Sequence, residues 1–288
     1  MLLNDNRRTS RHLVRKLDVA RPATEWLDAA VAALDADGAV VLTGTGLADA
    51  AQATAATMLG ELPDLLAHEA ELTVYARGHL RQYPPVAAGS GAPRLFAPPA
   101  AVGLYRAILG ADCYVANYMG HTVLPGSDPQ PVHADWGPLW NELRVFHPPF
   151  LLAYNVALVE TDLRNGGIEL WPGTHRILDG FDKGALTVSA TARRHRSGSS
   201  QVGTVEMAPG DILVRDVRTW HRGTHNPSAA PRPIVFGLVA APWYRYRSTR
   251  PMVLARGLCP AVDALDIGVA CEYTDNLDPV ALSVGADD

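Results

Sequence analysis

From Cys113 onward the chain is written as short runs of β-branched and aromatic residues separated by turn formers, and this texture limits the fold more than any other feature. CYVANYM precedes PGSDPQP, FLLAYNVALV precedes RNGG, IELW precedes PGTH, and TVEM precedes APGD. ILVRDV then leads into a polar loop around His225 to Pro231, and PIVFGLVAAPWY follows. Strands this short, closed by glycine, proline or asparagine, pair antiparallel with their neighbours, whereas a doubly wound parallel sheet needs a helix between strands. The expectation is a mainly β sandwich or barrel. The first hundred residues differ. Pro22 to Asp37 reads as a helix, with Thr24 as N-cap, Trp26, Leu27, Val31 and Leu34 at helical spacing, and Gly38 at its end. AVVLTG follows as a short buried strand, Leu47 to Leu62 as an alanine-rich helix, and PPVAAGSGAPRLFAPP as a loop. The 288 residues fit one domain: a helical flank over about 20–112, a β core over about 113–245, and a C-terminal segment, 246–288, to which no element is assigned.

Composition narrows the function classes. Hydrophobic residues at 48% and charged residues at 19% describe a folded chain and not a disordered one. A net charge of -5 supplies no field for nucleic acid. The local basic clusters, Arg7, Arg8, Arg11, Arg15 and Lys16, then Arg193, Arg194, His195 and Arg196, read as solvated surface. Cys113, Cys259 and Cys271 stand far apart, without a disulfide framework or a zinc-ligand spacing, which points to a reducing cytoplasm. The first residues lack the apolar stretch of a signal peptide, and no apolar run approaches membrane-spanning length. The expected partner is therefore a small molecule. Nothing in the sequence sets the oligomeric state.

The chemistry concentrates in two segments. In Gln130-Pro-Val-His-Ala-Asp-Trp136, residues two apart share a face if the segment is extended, so His133 and Asp135 can present an imidazole and a carboxylate to one point. A second histidine would complete a two-histidine, one-carboxylate set that leaves one face of an iron(II) ion open. Asp211-Ile-Leu-Val-Arg-Asp-Val-Arg-Thr-Trp-His221 reads as a strand and turn ending in such a histidine. If the following loop closes a hairpin, Arg232, at the head of PIVFGLVAA, returns beside His221 and offers a guanidinium to a carboxylate.

The pattern of HxD, a long interval, then histidine with arginine eleven residues on, resembles the phytanoyl-CoA dioxygenase family of iron(II)/2-oxoglutarate-dependent oxygenases. Asn165-Gly-Gly-Ile-Glu-Leu-Trp-Pro-Gly-Thr-His175 resembles the family's NG…PGSH segment, with Thr174 in place of serine. The resemblance spans roughly Cys113 to Tyr244. It implies a double-stranded β-helix, a jelly-roll relative, in agreement with the strand texture. By position it implies iron(II) on His133, Asp135 and His221, 2-oxoglutarate on Arg232, and dioxygen as the oxidant. Related halogenases replace the carboxylate with a small residue, so Asp135 implies oxygenation. Arg222 stands where some relatives carry a serine.

Several readings stay open. His225 competes with His221 as distal ligand, and the family's spacing selects His221. Thr122, on the strand before HxD, is a candidate cosubstrate contact. Glu169 and Trp171 share one face of IELW and contact substrate if that face lines the cavity; Trp136 is a third candidate. Hydroxylation of a specialised metabolite, of the kind made in antibiotic biosynthesis, is the expected reaction. The acidic balance and Glu169 leave room for a polyamine-bearing or aminosugar compound, and a terpenoid or polyketide is equally open. The alternatives are a ligand-binding β-barrel with a vestigial metal site and a zinc-dependent hydrolase.

Overall fold

The computed structural model describes residues 12–83, 93–140, 145–180, 186–197, 202–247 and 252–284. Most of the loop after Tyr83, and Arg7, Arg8 and Arg11, lie outside these residues. The elements that build the site are β1 (Lys16–Asp18), α1 (Ala23–Asp37), β2 (Ala39–Thr43), α2 (Ala48–Leu65), β3 (His79–Gln82), α3 (Pro99–Leu109), β4 (Tyr114–Val123), β5 (Leu151–Ala157), β6 (Ile168–Leu170), β7 (Gly203–Thr204), β8 (Ile212–Asp216), β9 (His221–Gly223), β10 (Arg232–Ala240) and β11 (Gly268–Val269). The large sheet runs β11-β4-β10-β5-β8-β2-β1, with β3 also paired to β4. The small sheet runs β9-β6-β7 and then the strand His12–Leu13. Neighbours along β4-β10-β5-β8-β2 are all antiparallel, as the turn-rich texture requires.

Alternation along the strands assigns the two faces of the large sheet. Ala39, Val41, Ala157, Leu213 and Ile234 face the small sheet, where Ile168, Leu170 and Val205 join them in one apolar cluster. Val40, Leu42, Tyr154, Val156, Ile212, Val214 and Val235 face the opposite way and pack under Trp26, Ala30 and Leu34 of α1, Met58 of α2, and Leu104 and Tyr105 of α3. The result is two β layers with a helical layer behind the larger, the double-stranded β-helix that the sequence implies.

The expected helical flank is not purely helical. β1, β2 and β3 all lie before residue 113 and belong to the large sheet; β2, AVVLT, is apolar on both faces and has a layer to bury against on each. Helix α1 begins one residue after Pro22, with no side-chain cap from Thr24. It ends at Gly38 (φ +77°), whose N–H donates to Leu34 O at 3.0 Å. A Cβ at Gly38 would stand 2.4 Å from Thr219 Oγ1, so the position excludes any side chain. The C-terminal segment gains its structure from long-range pairing: β11 extends β4, Val253–Ala255 pairs Glu272–Thr274, and the helix Pro279–Val284 packs on α2.

Candidate metal centre

The HxD segment is not a strand. Residues 131–136 are irregular and are fixed by two reciprocal backbone bonds, His133 N–H to His221 O (3.0 Å) and His221 N–H to His133 O (2.9 Å). Asp135 N–H donates to Val217 O at 2.9 Å. This local pairing with β9 still puts His133 and Asp135 toward one point, and it brings His221 beside them directly. His133 Nε2 and His221 Nε2 lie 3.9 and 3.5 Å from Asp135 Oδ1, and the three candidate ligand atoms all lie within 4.8 Å of one another. Ligand bonds of about 2.0–2.2 Å would need only a modest closure to bind one ion.

Backbone carbonyls orient both imidazoles. His133 Nδ1 lies 2.9 Å from Pro131 O, and His221 Nδ1 lies 3.0 Å from Thr219 O. A carbonyl can only accept, so each Nδ1 carries the proton and each Nε2 turns a lone pair toward Asp135. Arg215 Nη1 also approaches His221 Nδ1 at 3.4 Å, but that nitrogen's proton already points to Thr219, so the contact is not a hydrogen bond. Burial lowers the pKa of both histidines and keeps them neutral, the ligating form. Burial alone would raise the Asp135 carboxyl; the positive charge of Arg215 beside it outweighs burial and holds it below the usual range. Arg215 Nη1 stands 2.5 Å from Asp135 Oδ2.

The triad lines a cavity of about 190 Å3 between the sheets. Grooves of about 660 and 730 Å3 elsewhere contain none of the three residues. The large sheet contributes Met119 and His121 from β4, Asn155 from β5, Arg215 from β8, and Arg232, Ile234 and Phe236 from β10. Arg81, paired with His121, lies on the same sheet, while Ile168 and Gly223 close the opposite side, with Tyr75 and Gln130 completing the lining.

Arg232 and His221 share this cavity, but not through a hairpin. β9 belongs to the small sheet and β10 to the large one, so the two residues face each other across the sandwich. Arg232 is 1% exposed and donates through Nη2 to Gly166 O, while Nε and Nη1 have no hydrogen-bond partner. Among the described residues it forms no ion pair. Burial lowers its pKa to about 10, so it remains a cation at neutral pH. A buried, protonated guanidinium with two unsatisfied nitrogens is a ready site for a carboxylate. The NGG and PGTH segments serve these residues. Gly166 (φ +82°) presents the carbonyl that anchors Arg232. Thr174 Oγ1 accepts from Trp220 N–H (2.9 Å) and donates to Trp171 O (2.6 Å), tying down the residue before His221.

Four expected contacts lie elsewhere. Glu169 pairs with Arg222 across the small sheet, with Arg222 Nη2 at 2.7 Å, on the face turned away from the cavity. Trp171 shares that face and packs with Val132, Ala134, Val188 and Trp220. In each case the correction is one of phase: Ile168 and Leu170 take the inner face, so Glu169 and Trp171 take the outer one. Thr122 is fully buried on the helix side of β4, where its hydroxyl donates to Gln82 Oε1 at 2.9 Å; its neighbour His121 faces the cavity instead. Trp136 does not line the cavity and sits against Tyr246, ring centroids 5.8 Å apart. His225 Nδ1 points to Ser127 O, away from the triad, and His175 joins its turn to Asp35 O. Arg215, Tyr75, His121 and Asn155 went unremarked in the sequence. Only Arg215 left a signal, as a lone charge inside the apolar strand ILVRDV.

The model of the phytanoyl-CoA dioxygenase (PhyH) family matches residues 17–234. The fold is similar to the epimerase SnoN solved with Fe3+, alpha-ketoglutarate and nogalamycin RO (21% identity over 89% of this chain and 93% of SnoN, TM-score 0.60). It is also similar to EctD from S. alaskensis with 2-oxoglutarate and 5-hydroxyectoine (19% identity, 84% and 87% covered, TM-score 0.59). AviO1 from Streptomyces viridochromogenes Tue57 matches at 19% identity over 77% of this chain and 98% of AviO1, with a TM-score of 0.55. No helix among the described residues is long and apolar enough to cross a membrane. The family match covers most of the chain, and this chain belongs to the phytanoyl-CoA dioxygenase family of iron(II)- and 2-oxoglutarate-dependent oxygenases.

Proposed function

We propose that the chain hydroxylates a C–H bond of a small specialised metabolite, with iron(II) on His133, Asp135 and His221 and 2-oxoglutarate anchored by Arg232. The observation that carries this reading is Arg232, a buried cation without an anionic partner in the same cavity as a facial His-Asp-His set. The donor set suits iron(II): two neutral imidazoles and one carboxylate bind on one side and leave the other open. When bound, iron and 2-oxoglutarate together supply the dioxygen chemistry. The protein's part is positional. Carbonyl-anchored imidazoles hold their Nε2 atoms toward one point, Arg215 keeps Asp135 ionised, and Arg232 fixes the far carboxylate of the cosubstrate. Met119, Ile168, Ile234 and Phe236 keep the cavity walls apolar and limit water.

The cavity disfavours an amine-bearing substrate. Glu169 is committed to Arg222, and Asp135, committed to the triad and Arg215, is the one carboxylate among the described residues that line the cavity. The solved relatives carry nogalamycin RO in SnoN and 5-hydroxyectoine in EctD, which supports small metabolites as substrates and hydroxylation among the outcomes. Asp135 fills the position that halogenases empty, which further supports oxygenation. The test is a screen of candidate metabolites with anaerobically loaded iron(II), 2-oxoglutarate and labelled dioxygen. Succinate release matched by label in a hydroxylated product is expected. Turnover with zinc(II), or without dioxygen, would establish the hydrolase instead, and no succinate with any substrate would favour a binding protein.

A further inference from the structure

Tyr75 is the one non-glycine residue with positive φ among the described residues, at +65°. A bulky side chain in the left-handed region is strained where glycine would not be. The turn that holds it is tightly made: Ala76 N–H donates to Val74 O at 2.8 Å and Val74 N–H to His79 O at 2.7 Å. The backbone conformation is thus imposed, and the residue that occupies it is the informative choice. What the tyrosine adds is a ring stacked on His133, with centroids 4.2 Å apart and planes 29° apart. It lines the metal cavity, yet it stays 49% exposed. A ring placed only to brace His133 would gain by being covered. This one keeps a free surface at the mouth of the site.

The size of the cavity says what meets that surface. At about 190 Å3 it falls below the roughly 300–1,000 Å3 of pockets that enclose a drug-sized ligand. The five-carbon diacid anchored at Arg232 takes up this space, and the bulk of a larger substrate must lie at the mouth. Resting on the function proposed above, we propose that Tyr75 is a substrate-binding, specificity-determining residue whose free surface stacks against a flat, non-cationic ring of the substrate. A cationic group is disfavoured because Arg81, Arg215 and Arg232 all line the cavity. An offset ring stack would strengthen binding and set the angle at which the substrate enters.

The experiment compares wild type, Tyr75→Phe and Tyr75→Gly, each loaded with manganese(II) and 2-oxoglutarate without dioxygen, and titrates 2-naphthol by calorimetry as the flat, uncharged probe. Wild type should bind it, Tyr75→Phe should bind within about threefold, and Tyr75→Gly should bind about tenfold more weakly, the equivalent of 1.4 kcal/mol. Circular dichroism of the metal-free proteins should show all three equally folded, so that weaker binding by Tyr75→Gly reports the lost ring surface. A separate 2-oxoglutarate titration reports on the cosubstrate site alone, so its failure would overturn the function reading and not the role of Tyr75. Equal 2-naphthol binding by Tyr75→Gly, or no binding by wild type, would each overturn the inference.

Discussion

Arg215→Met removes a guanidinium that stands 2.5 Å from Asp135 Oδ2, with the arginine side chain 3% and the aspartate side chain 19% exposed. At that separation and an effective dielectric of about 20, the attraction is about 6–7 kcal/mol. Desolvation of both ions offsets much of it, so the observable loss for a broken buried pair is about 3–5 kcal/mol. Methionine fills a similar volume, and most of this loss therefore comes from the stranded carboxylate. A divalent cation on the triad would supply the missing positive charge. Arg215→Met should thus be destabilised by about 3–5 kcal/mol with chelator present, and at least half of that deficit should vanish at saturating iron(II) without dioxygen. Urea denaturation of both proteins, with and without metal, completes the cycle. A deficit of the same size in both conditions would refute the reasoning, because it would mean that Arg215 acts by packing and that no cation meets Asp135.

Other consequences follow from the same geometry. His133→Ala, Asp135→Ala and His221→Ala should each lose stoichiometric iron while remaining folded by circular dichroism, and His225→Ala should keep it; the reverse for His221 and His225 would reassign the distal ligand. Thr174→Val leaves Trp220 N–H buried without its acceptor and should cost about 1–3 kcal/mol in urea, with weaker iron binding as the segment before His221 loosens; unchanged iron affinity would separate that segment from the site. Burial lowers the pKa of His79 to about 4 and lowers that of His121 in the same direction. Both folded values lie below the ordinary 6.5, so the unfolded chain takes up more protons as pH falls. Stability of the metal-free protein should be complete above pH 6.5 and decline toward pH 4, with His79 alone accounting for up to about 3 kcal/mol. Equal urea midpoints at pH 7.5 and 5 would contradict this.

What the sequence disclosed and what it concealed divide along physical lines. The strand texture of the second half, the Gly38 helix stop, His133 with Asp135, and Arg232 were legible because each depends on local chemistry or short spacing. The face that a strand turns inward was not. IELW reads equally well in either phase, and only the small sheet's pairing puts Ile168 inside and Glu169 outside. The same one-residue ambiguity separates Thr122 from His121 on β4. Arg215 meets Asp135, and Tyr75 meets His133, across long stretches of chain, so neither contact has a sequence spacing to betray it. The hairpin drawn to bring Arg232 to His221 gave the right proximity for the wrong reason, since the two strands belong to different sheets.

Calorimetric titration of 2-oxoglutarate into the anaerobic iron(II)-loaded protein and its Arg232→Met variant tests the site most directly. Wild type should bind one 2-oxoglutarate per chain, and only with metal present. Loss of the buried guanidinium should weaken that binding by about 2–5 kcal/mol, or roughly thirtyfold and more, with iron content unchanged. Binding that is indifferent to the metal, or equally tight in Arg232→Met, would contradict the assignment of this cavity to iron(II) and 2-oxoglutarate.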